Sequence, residues 1–173
     1  IYEYDLAART LRLAYSERQK SLIDFLDGRS FAPLADGSLL LLSSKGGWTH
    51  LLRVDASGNE RALTAGEWSV GALEAVDERR GLVFFSADKE DSTRSDLYRV
   101  SWTGGAPQLL TSGGGSHFAD VSPRGAFFLD RWSALDRPAA LRLCAGDGRL
   151  LRELGDSATP ALAALDLGRR EIF

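Results

Sequence analysis

The sequence predicts an all-β fold made of repeated small antiparallel sheets, and three observations support this prediction. The segment from 51 to 68, LLRVDASGNERALTAGEW, is echoed from 97 to 115 as LYRVSWTGGAPQLLTSGGG. Short apolar runs alternate with turns rich in Gly, Asp, Asn and Ser, which is typical of strands. The repeat length lies in the forties, as in a propeller blade of four antiparallel strands. We therefore expect a partial β-propeller with three to four blades.

The first twenty residues are expected to form a partial blade. Within them YEYDLAARTLRLAYSE aligns with LLRVDASGNERALTAG, so that Asp5 stands opposite Asp55 at an offset of 50 residues. An arginine that follows an apolar pair gives a similar spacing, because Arg53, Arg99 and Arg142 are 46 and then 43 residues apart. These alignments predict that the repeated segments fold in the same way.

Three complete units follow, each with four predicted strands. The unit from 21 to 64 contains FAPLADG, SLLLLSS, WTHLLRVD and ERALT, and the unit from 68 to 111 contains WSVGALEAV, GLVFFSAD, SDLYRVSW and PQLLT. The unit from 115 to 154 contains HFADVSPRG, AFFLDRW, AALRLCAG and RLLREL. The second strand of each unit, Leu39–Leu42, Leu82–Phe85 and Ala126–Leu129, is continuously apolar. This pattern predicts strands that are covered on both faces by neighbouring sheets.

A short helix is predicted near the carboxyl end. The stretch SATPALAALDL, 157 to 167, is rich in Ala and Leu and follows Asp, Ser and Thr start signals, which indicates a helix of about two or three turns. REIF, at 170 to 173, is expected to be one more strand that closes or leaves the propeller. We treat 1–173 as a single domain, and the lack of any Met indicates an excised segment of a longer protein.

Composition and charge exclude several classes of function. The chain has 24 acidic and 21 basic residues, a net charge of -3 and no dense basic cluster, so we expect no nucleic-acid partner. Its apolar runs fall far short of the roughly 20 residues that span a bilayer, so we expect no membrane span. The single cysteine, Cys144, excludes both an intramolecular disulfide and a multi-thiolate metal site. We expect Cys144 to be a small buried apolar residue.

No catalytic or metal-binding constellation is found in the sequence. Neither His50 nor His117 has a ligand partner at metal-site spacing, so no metal and no cofactor are predicted. The stretch GGGSH lacks the frame of a G-x-S-x-G nucleophile, GDGRLL reads as a hairpin turn, and DKEDSTRSD lacks the Gly and Glu of a calcium loop. The four tryptophans are predicted to be buried anchors between sheets: Trp48, Trp68, Trp102 and Trp132.

Several of these residues together resemble the later blades of the N-terminal propeller of dipeptidyl peptidase IV and its bacterial relatives in the prolyl oligopeptidase clan. The matching residues are Gly47, Trp48, His50, Leu51, Leu63, Thr64, Gly66, Trp68, Val70, Leu97, Tyr98, Arg99, Val100, His117, Ser122, Pro123, Gly125, Ser133 and Pro138. The resemblance covers residues 22 to 173 well and the first twenty more loosely. Two departures are Leu52 in place of the usual Tyr and Ser69 in place of the common Glu.

The resemblance implies that the parent protein is a serine exopeptidase that removes Xaa-Pro or Xaa-Ala dipeptides from the amino end of peptides. Its catalytic triad would lie in an α/β-hydrolase domain beyond Phe173, and the family's amine-binding Glu-Glu pair is absent from this sequence. The chain alone is expected to be inactive, as a wall of the chamber that admits the peptide substrate. Asp24 and Phe25 are named as residues that line the substrate site.

The resemblance also implies a periplasmic, secreted or cell-surface location.

Apolar faces of the first and last blades are expected to make the isolated chain self-associate, because soluble monomers rarely carry large exposed apolar patches. Two alternatives remain open at this point. One is a free-standing β-propeller that binds proteins, and the other is a closed β-barrel or sandwich enzyme.

Overall fold

The computed structural model describes residues 1–20 and 28–163, and these residues form four antiparallel sheets. The first is a two-stranded sheet of β1 (Tyr2–Asp5) and β2 (Thr10–Leu13), which we call the first hairpin. The other three sheets have four strands each, and in all of them every strand pairs with the next one in the chain. The predicted all-β, blade-like fold is confirmed.

Sheet 1 contains β3 (Phe31–Pro33), β4 (Leu39–Ser43), β5 (His50–Val54) and β6 (Glu60–Ala62). Sheet 2 contains β7 (Val70–Asp77), β8 (Leu82–Ala87), β9 (Asp96–Ser101) and β10 (Gln108–Leu109). Sheet 3 contains β11 (Ser116–Val121), β12 (Phe127–Ala134), β13 (Arg137–Ala145) and β14 (Leu150–Asp156). A four-residue helix, α1 (Pro160–Ala163), follows within the predicted helical stretch. The rest of that stretch and the predicted strand REIF lie outside the described residues.

The hairpin between β5 and β6 shows why the turn residues of the sequence fix the strand ends. The carboxylate of Asp55 accepts hydrogen bonds from the backbone N–H groups of Ser57 (2.8 Å) and Asn59 (2.9 Å). Gly58 has φ = 87°, which a residue without Cβ adopts at little cost. Hydrogen bonds from Asn59 also hold the pKa of Asp55 below its usual value.

The sheets pack face to face in chain order. Leu39 and Leu41 point from β4 into a cluster with Tyr15, which covers one face of sheet 1. Leu40, between them, points the other way and packs in a cluster that sheet 1 shares with sheet 2. In the same manner Phe84 points from β8 towards sheet 3. The prediction that both faces are covered is therefore confirmed for β4 and β8.

The same prediction is wrong for the second strand of sheet 3. Phe128 is 1 % exposed, but Phe127 is 51 % and Leu129 is 37 % exposed, and Ala126 is also exposed. Side chains alternate between the two faces of a strand, so only the face towards sheet 2 is covered by described residues. We call the opposite side the outer face of sheet 3; its exposed apolar residues are Phe118, Phe127, Leu129 and Leu141.

The Leu-Thr pair that recurs in the sequence, at 63–64 and at 110–111, corresponds to a repeated hydrogen bond. The hydroxyl oxygen of Thr64 accepts the backbone N–H of Leu51 (3.0 Å), and that of Thr111 accepts the N–H of Leu97 (3.2 Å). Both threonines are buried and follow the outermost strand of their sheet. Each therefore ties the end of the fourth strand to the start of the third, which explains why the pair recurs at the same place.

Two of the aligned arginines reach the next sheet. The guanidinium of Arg53 lies 4.8 Å from the ring centroid of Trp102, at the end of β9. Arg99 Nη1 donates a 2.8 Å hydrogen bond to the carbonyl oxygen of Gly146, between β13 and β14. Equivalent positions of sheets 1 and 2 therefore make equivalent contacts with the hairpin of the sheet that follows.

Candidate functional site

Asp24 and Phe25, the residues named as substrate-lining, lie outside the described residues. Their role stays a prediction. The remaining motif residues fall in or next to the three four-stranded sheets, where their contacts are described below.

The tryptophans do not share one role. Trp68 is 8 % and Trp132 is 5 % exposed, and Trp102 is half-buried against the cluster between sheets 1 and 2. Trp48, by contrast, is 44 % exposed, so its prediction as a buried anchor is wrong. It follows a turn in which Gly47 has φ = 92° and precedes the first paired residue of β5, so no sheet covers it.

His50 is held by two hydrogen bonds beside Trp68. Its Nδ1 lies 3.1 Å from the hydroxyl of Thr64 and its Nε2 lies 3.0 Å from the carbonyl oxygen of Gly66. The imidazole meets the Trp68 ring edge-on at 4.9 Å. A Cβ at Gly66 would lie 2.4 Å from the indole nitrogen of Trp68, so the Gly-x-Trp spacing is a steric requirement. Both ring nitrogens of His50 therefore make contacts within the fold.

Tyr98 belongs to an aromatic row that joins sheets 1 and 2. Its ring stacks on Phe85 at 5.7 Å, and Phe85 stacks on Trp68 at 6.3 Å. Burial raises the pKa of the Tyr98 hydroxyl, and the negative charge of Asp96 raises it further. The row is a packing element because its members are almost fully buried.

Pro123 lies in the turn between β11 and β12. The N–H of Gly125 donates to the carbonyl oxygen of Ser122 (2.7 Å), which closes a four-residue turn with Pro in its second position. Pro123 is exposed, whereas Gly125 is buried against sheet 2.

A buried charged cluster lies between sheets 2 and 3. Nδ1 of His117 lies 2.9 Å and 3.0 Å from the two carboxylate oxygens of Asp130, which is 2 % exposed. Nε2 of His117 lies 3.8 Å from Oδ1 of Asp96, across the boundary to sheet 2. The hydroxyl of Thr111 donates to the same oxygen of Asp96 at 2.7 Å. We call His117, Asp130, Asp96 and Thr111 the His117 cluster.

Arg142 packs beside this cluster and not against a following sheet. Its guanidinium lies 4.0 Å from the ring centroid of Trp132, on the side of sheet 3 that faces sheet 2. It also donates to the carbonyl oxygen of Ser112 (3.3 Å), and its Nε lies 3.3 Å from Glu153. Arg142 follows the repeat spacing of Arg53 and Arg99 but makes different contacts. Register shifts between β13 and β14 accompany this difference.

A cavity of about 210 Å³ adjoins the His117 cluster between sheets 2 and 3. Its walls combine polar groups of Thr111, Asp130 and Arg142 with the thiol of Cys144. Burial raises the pKa of this thiol, and the charge of Asp130 raises it further. The prediction that Cys144 is a buried apolar residue is confirmed by its 5 % exposure.

The His117 cluster does not have the geometry of a catalytic triad. One imidazole nitrogen contacts Asp130 and the other faces the carboxylate of Asp96, where a nucleophile would need to stand. Across the described residues, no group of three His, Cys, Asp or Glu side chains could hold a metal ion. None of the helices in the described ranges has the length and apolarity to cross a bilayer. The cluster was missed in the sequence because its members are spread over three strands and the segment after β10.

Comparisons with known proteins point in one direction. The family described as dipeptidyl peptidase IV (DPP IV) N-terminal region matches residues 1–139. The chain is 45 % identical over 62 residues to a probable dipeptidyl peptidase 4 of Neosartorya fischeri, covering 35 % of this chain and 8 % of that protein. It is 28 % identical over 141 residues to dipeptidyl peptidase 4 of Trichophyton equinum, covering 73 % of this chain and 18 % of that protein.

The fold has a counterpart among solved structures. The crystal structure of Porphyromonas gingivalis dipeptidyl peptidase 4 matches with a TM-score of 0.79 and 23 % sequence identity, over 94 % of this chain and 23 % of that chain. The chain thus spans less than a quarter of the length of these relatives.

Proposed function

Because the chain belongs to the family of dipeptidyl peptidase IV N-terminal regions, we propose that it forms part of the propeller wall of a serine exopeptidase. That enzyme would remove Xaa-Pro or Xaa-Ala dipeptides from the amino end of peptides. The observation that carries the proposal is the face-to-face stack of four-stranded sheets in a chain whose residues 1–139 match this family.

The role of this part of the wall is structural. Polar residues hold strands and sheets to one another: Thr64 and Arg99, which match the family, and Thr111, which makes the same bond in sheet 2 as Thr64 makes in sheet 1. Catalysis would reside in an α/β-hydrolase domain of the same parent chain, and the peptide substrate would pass the wall on its way there. In the described residues, both histidines are occupied by structural contacts.

A pair of assays tests the proposal. The purified 173-residue chain should not turn over an Xaa-Pro chromogenic substrate above the buffer rate, whereas the full parent protein should. Serine-dependent turnover by the chain alone would contradict the structural role. A parent protein that cleaves neither Xaa-Pro nor Xaa-Ala substrates would contradict the peptidase assignment.

Self-association of the isolated chain is part of the proposal. The outer face of sheet 3 exposes four large apolar side chains, and one face of the first hairpin exposes four more: Tyr2, Tyr4, Leu11 and Leu13. Burial of such patches is the main favourable term in association. Sedimentation velocity at micromolar concentration should show dimers or larger species, and the charged variant Leu129→Lys should shift them towards monomer. A wild-type chain that sediments as a monomer would refute this part.

A periplasmic, secreted or cell-surface location is also proposed, from the resemblance to exported relatives. Fractionation of the source cells with an antibody against this chain tests it. Recovery in the cytosolic fraction alone would be the contrary result.

A further inference from the structure

The boundaries on the two sides of sheet 2 are built differently. Between sheets 1 and 2, which we call the 1–2 boundary, the core is a continuous apolar cluster that includes the aromatic row of Trp68, Phe85 and Tyr98. Between sheets 2 and 3, the 2–3 boundary, the buried apolar cluster is smaller: Phe84, Leu97, Leu110, Phe128 and Cys144. Since apolar burial is the main attraction between packed sheets, apolar packing contributes less to the 2–3 boundary than to the 1–2 boundary.

Polar groups and a solvent-sized cavity also lie at the 2–3 boundary. The His117 cluster is found there, and it adjoins the cavity of about 210 Å³. The polar walls of the cavity, which include Asp130 and Arg142, are compatible with water. Water in the cavity can solvate these polar groups. Separating sheets 2 and 3 would also expose less buried apolar surface than separating sheets 1 and 2, because the apolar cluster between them is smaller.

The chain crosses the two boundaries through different links. Between sheets 1 and 2 the link contains Trp68, which is packed against His50 and fixes the path of the backbone. Between sheets 2 and 3 it contains three successive glycines, Gly113, Gly114 and Gly115, with φ of 114°, 69° and 81°. A run of glycines at positive φ has wide conformational freedom once its packing contacts are lost. This link, which packs against Trp132 and Ser133 of sheet 3, is the candidate hinge.

Polar contacts of single residues close the 2–3 boundary, and they include the contact of His117 with Asp96 and the hydrogen bond from the Trp132 indole N–H to the carbonyl oxygen of Gly114. Arg99 donates to the carbonyl oxygen of Gly146 (2.8 Å), and the N–H of His117 donates to the carbonyl oxygen of Ser95 (2.7 Å). We propose that sheet 3 opens as a unit on the Gly113–Gly115 hinge, and that the 2–3 boundary is the place at which the wall admits peptides. The opening is inferred from the packing and the glycine link alone, whereas its use for peptide entry rests on the proposed function.

Native-state hydrogen exchange on the 173-residue chain tests the opening. Arg99→Ala removes the bond to Gly146, and the matched control Arg53→Ala removes the contact of the equivalent arginine with Trp102. Arg99→Ala should speed the exchange of the amides of sheet 3 roughly tenfold as a group and leave sheet 1 unchanged. Arg53→Ala should not speed exchange in sheet 3 selectively. Equal acceleration in all three sheets by Arg99→Ala, or none, would overturn the proposal.

A second variant acts in the opposite direction and is expected to fold. Gly114→Asn stiffens the hinge at φ = 69°, a conformation that Asn tolerates, and its Cβ would meet only the end of the Arg94 side chain at 3.4 Å. The exchange of sheet 3 should slow several-fold relative to wild type. Unchanged exchange in this variant would show that the glycine run is not the hinge.

The same two variants in the full parent protein test the use of the opening. The ratio of kcat/KM for a long peptide to that for a dipeptide chromogenic substrate should rise in Arg99→Ala and fall in Gly114→Asn. An unchanged ratio would refute peptide entry at this boundary. A parent without peptidase activity would defeat the proposed function and leave the exchange result standing, so the two failures are distinguishable.

Discussion

The contact between Gly125 and Phe84 allows a quantitative prediction about the packing of sheet 3 on sheet 2. Gly125 is buried and has φ = 61°, and a Cβ built on it would lie 2.1 Å from Cε2 of Phe84, which is 1 % exposed. Placing Ala at a left-handed position costs about 1 kcal/mol, and overpacking a core adds about 1–3 kcal/mol. Gly125→Ala should therefore lower the free energy of unfolding by about 2–4 kcal/mol.

The matched control is Gly58→Ala, in the hairpin of sheet 1. Gly58 also has positive φ, 87°, but a Cβ there would meet nothing within 4 Å. Its replacement should cost only the conformational part, about 1 kcal/mol. Urea unfolding followed by tryptophan fluorescence measures the free energy of unfolding of both variants. In thermal unfolding, each kcal/mol lost should lower Tm by about 2–4 °C for a chain of this size.

A double-mutant cycle separates the steric part from the rest. Leu in place of Phe84 lacks the Cε2 and Cζ atoms that a Cβ at Gly125 would meet most closely. In the Phe84→Leu background, Gly125→Ala should cost about 1 kcal/mol, close to the Gly58→Ala value. Equal losses for Gly125→Ala and Gly58→Ala in the wild-type background would refute the steric argument, as would a cycle without coupling.

Three further predictions concern single side chains. Thr111→Val should lower the free energy of unfolding by about 1–3 kcal/mol because it leaves a buried N–H without its acceptor, whereas the exposed Thr103→Val should change it by less than about 0.5 kcal/mol in the same urea assay. Hydrogen bonds from Thr93 lower the pKa of Asp91 to about 2, so its contribution to stability is present above pH 3.8 and is lost as the pH falls towards 2. NMR titration should show this midpoint and a higher one in Thr93→Val; an identical midpoint would contradict the cause. Cys144 should react with a thiol reagent much more slowly in the native protein than in urea, because burial raises its pKa, and equal rates would contradict its burial.

Turn chemistry made the strands predictable from the sequence. Residues that favour tight turns, such as Asp55 and Gly58, bond within the turn itself, so their meaning does not depend on distant parts of the chain. The predicted strands SLLLLSS and GLVFFSAD correspond to β4 and β8 for this reason. The recurrence of the Leu-Thr pairs could also be recognised in the sequence, because Thr111 bonds to a strand of its own sheet.

Contacts between sheets were less predictable. Leu129 is 37 % exposed and its polar neighbour Asp130 is 2 % exposed, the reverse of what hydrophobicity indicates. The register of β12 decides this order, and Asp130 is buried because His117 faces it from β11. Arg142 follows the repeat spacing but faces sheet 2, and only the paired strands show which way it points.

The stacking of sheets in chain order determines how far the effect of a destabilising substitution extends along the chain. Each described sheet is buried only against the elements that come directly before and after it. Stability in such an array is approximately a sum of local and nearest-neighbour contributions. A destabilising substitution in the first hairpin should therefore lower the local stability of sheet 1 and have little effect on sheet 3.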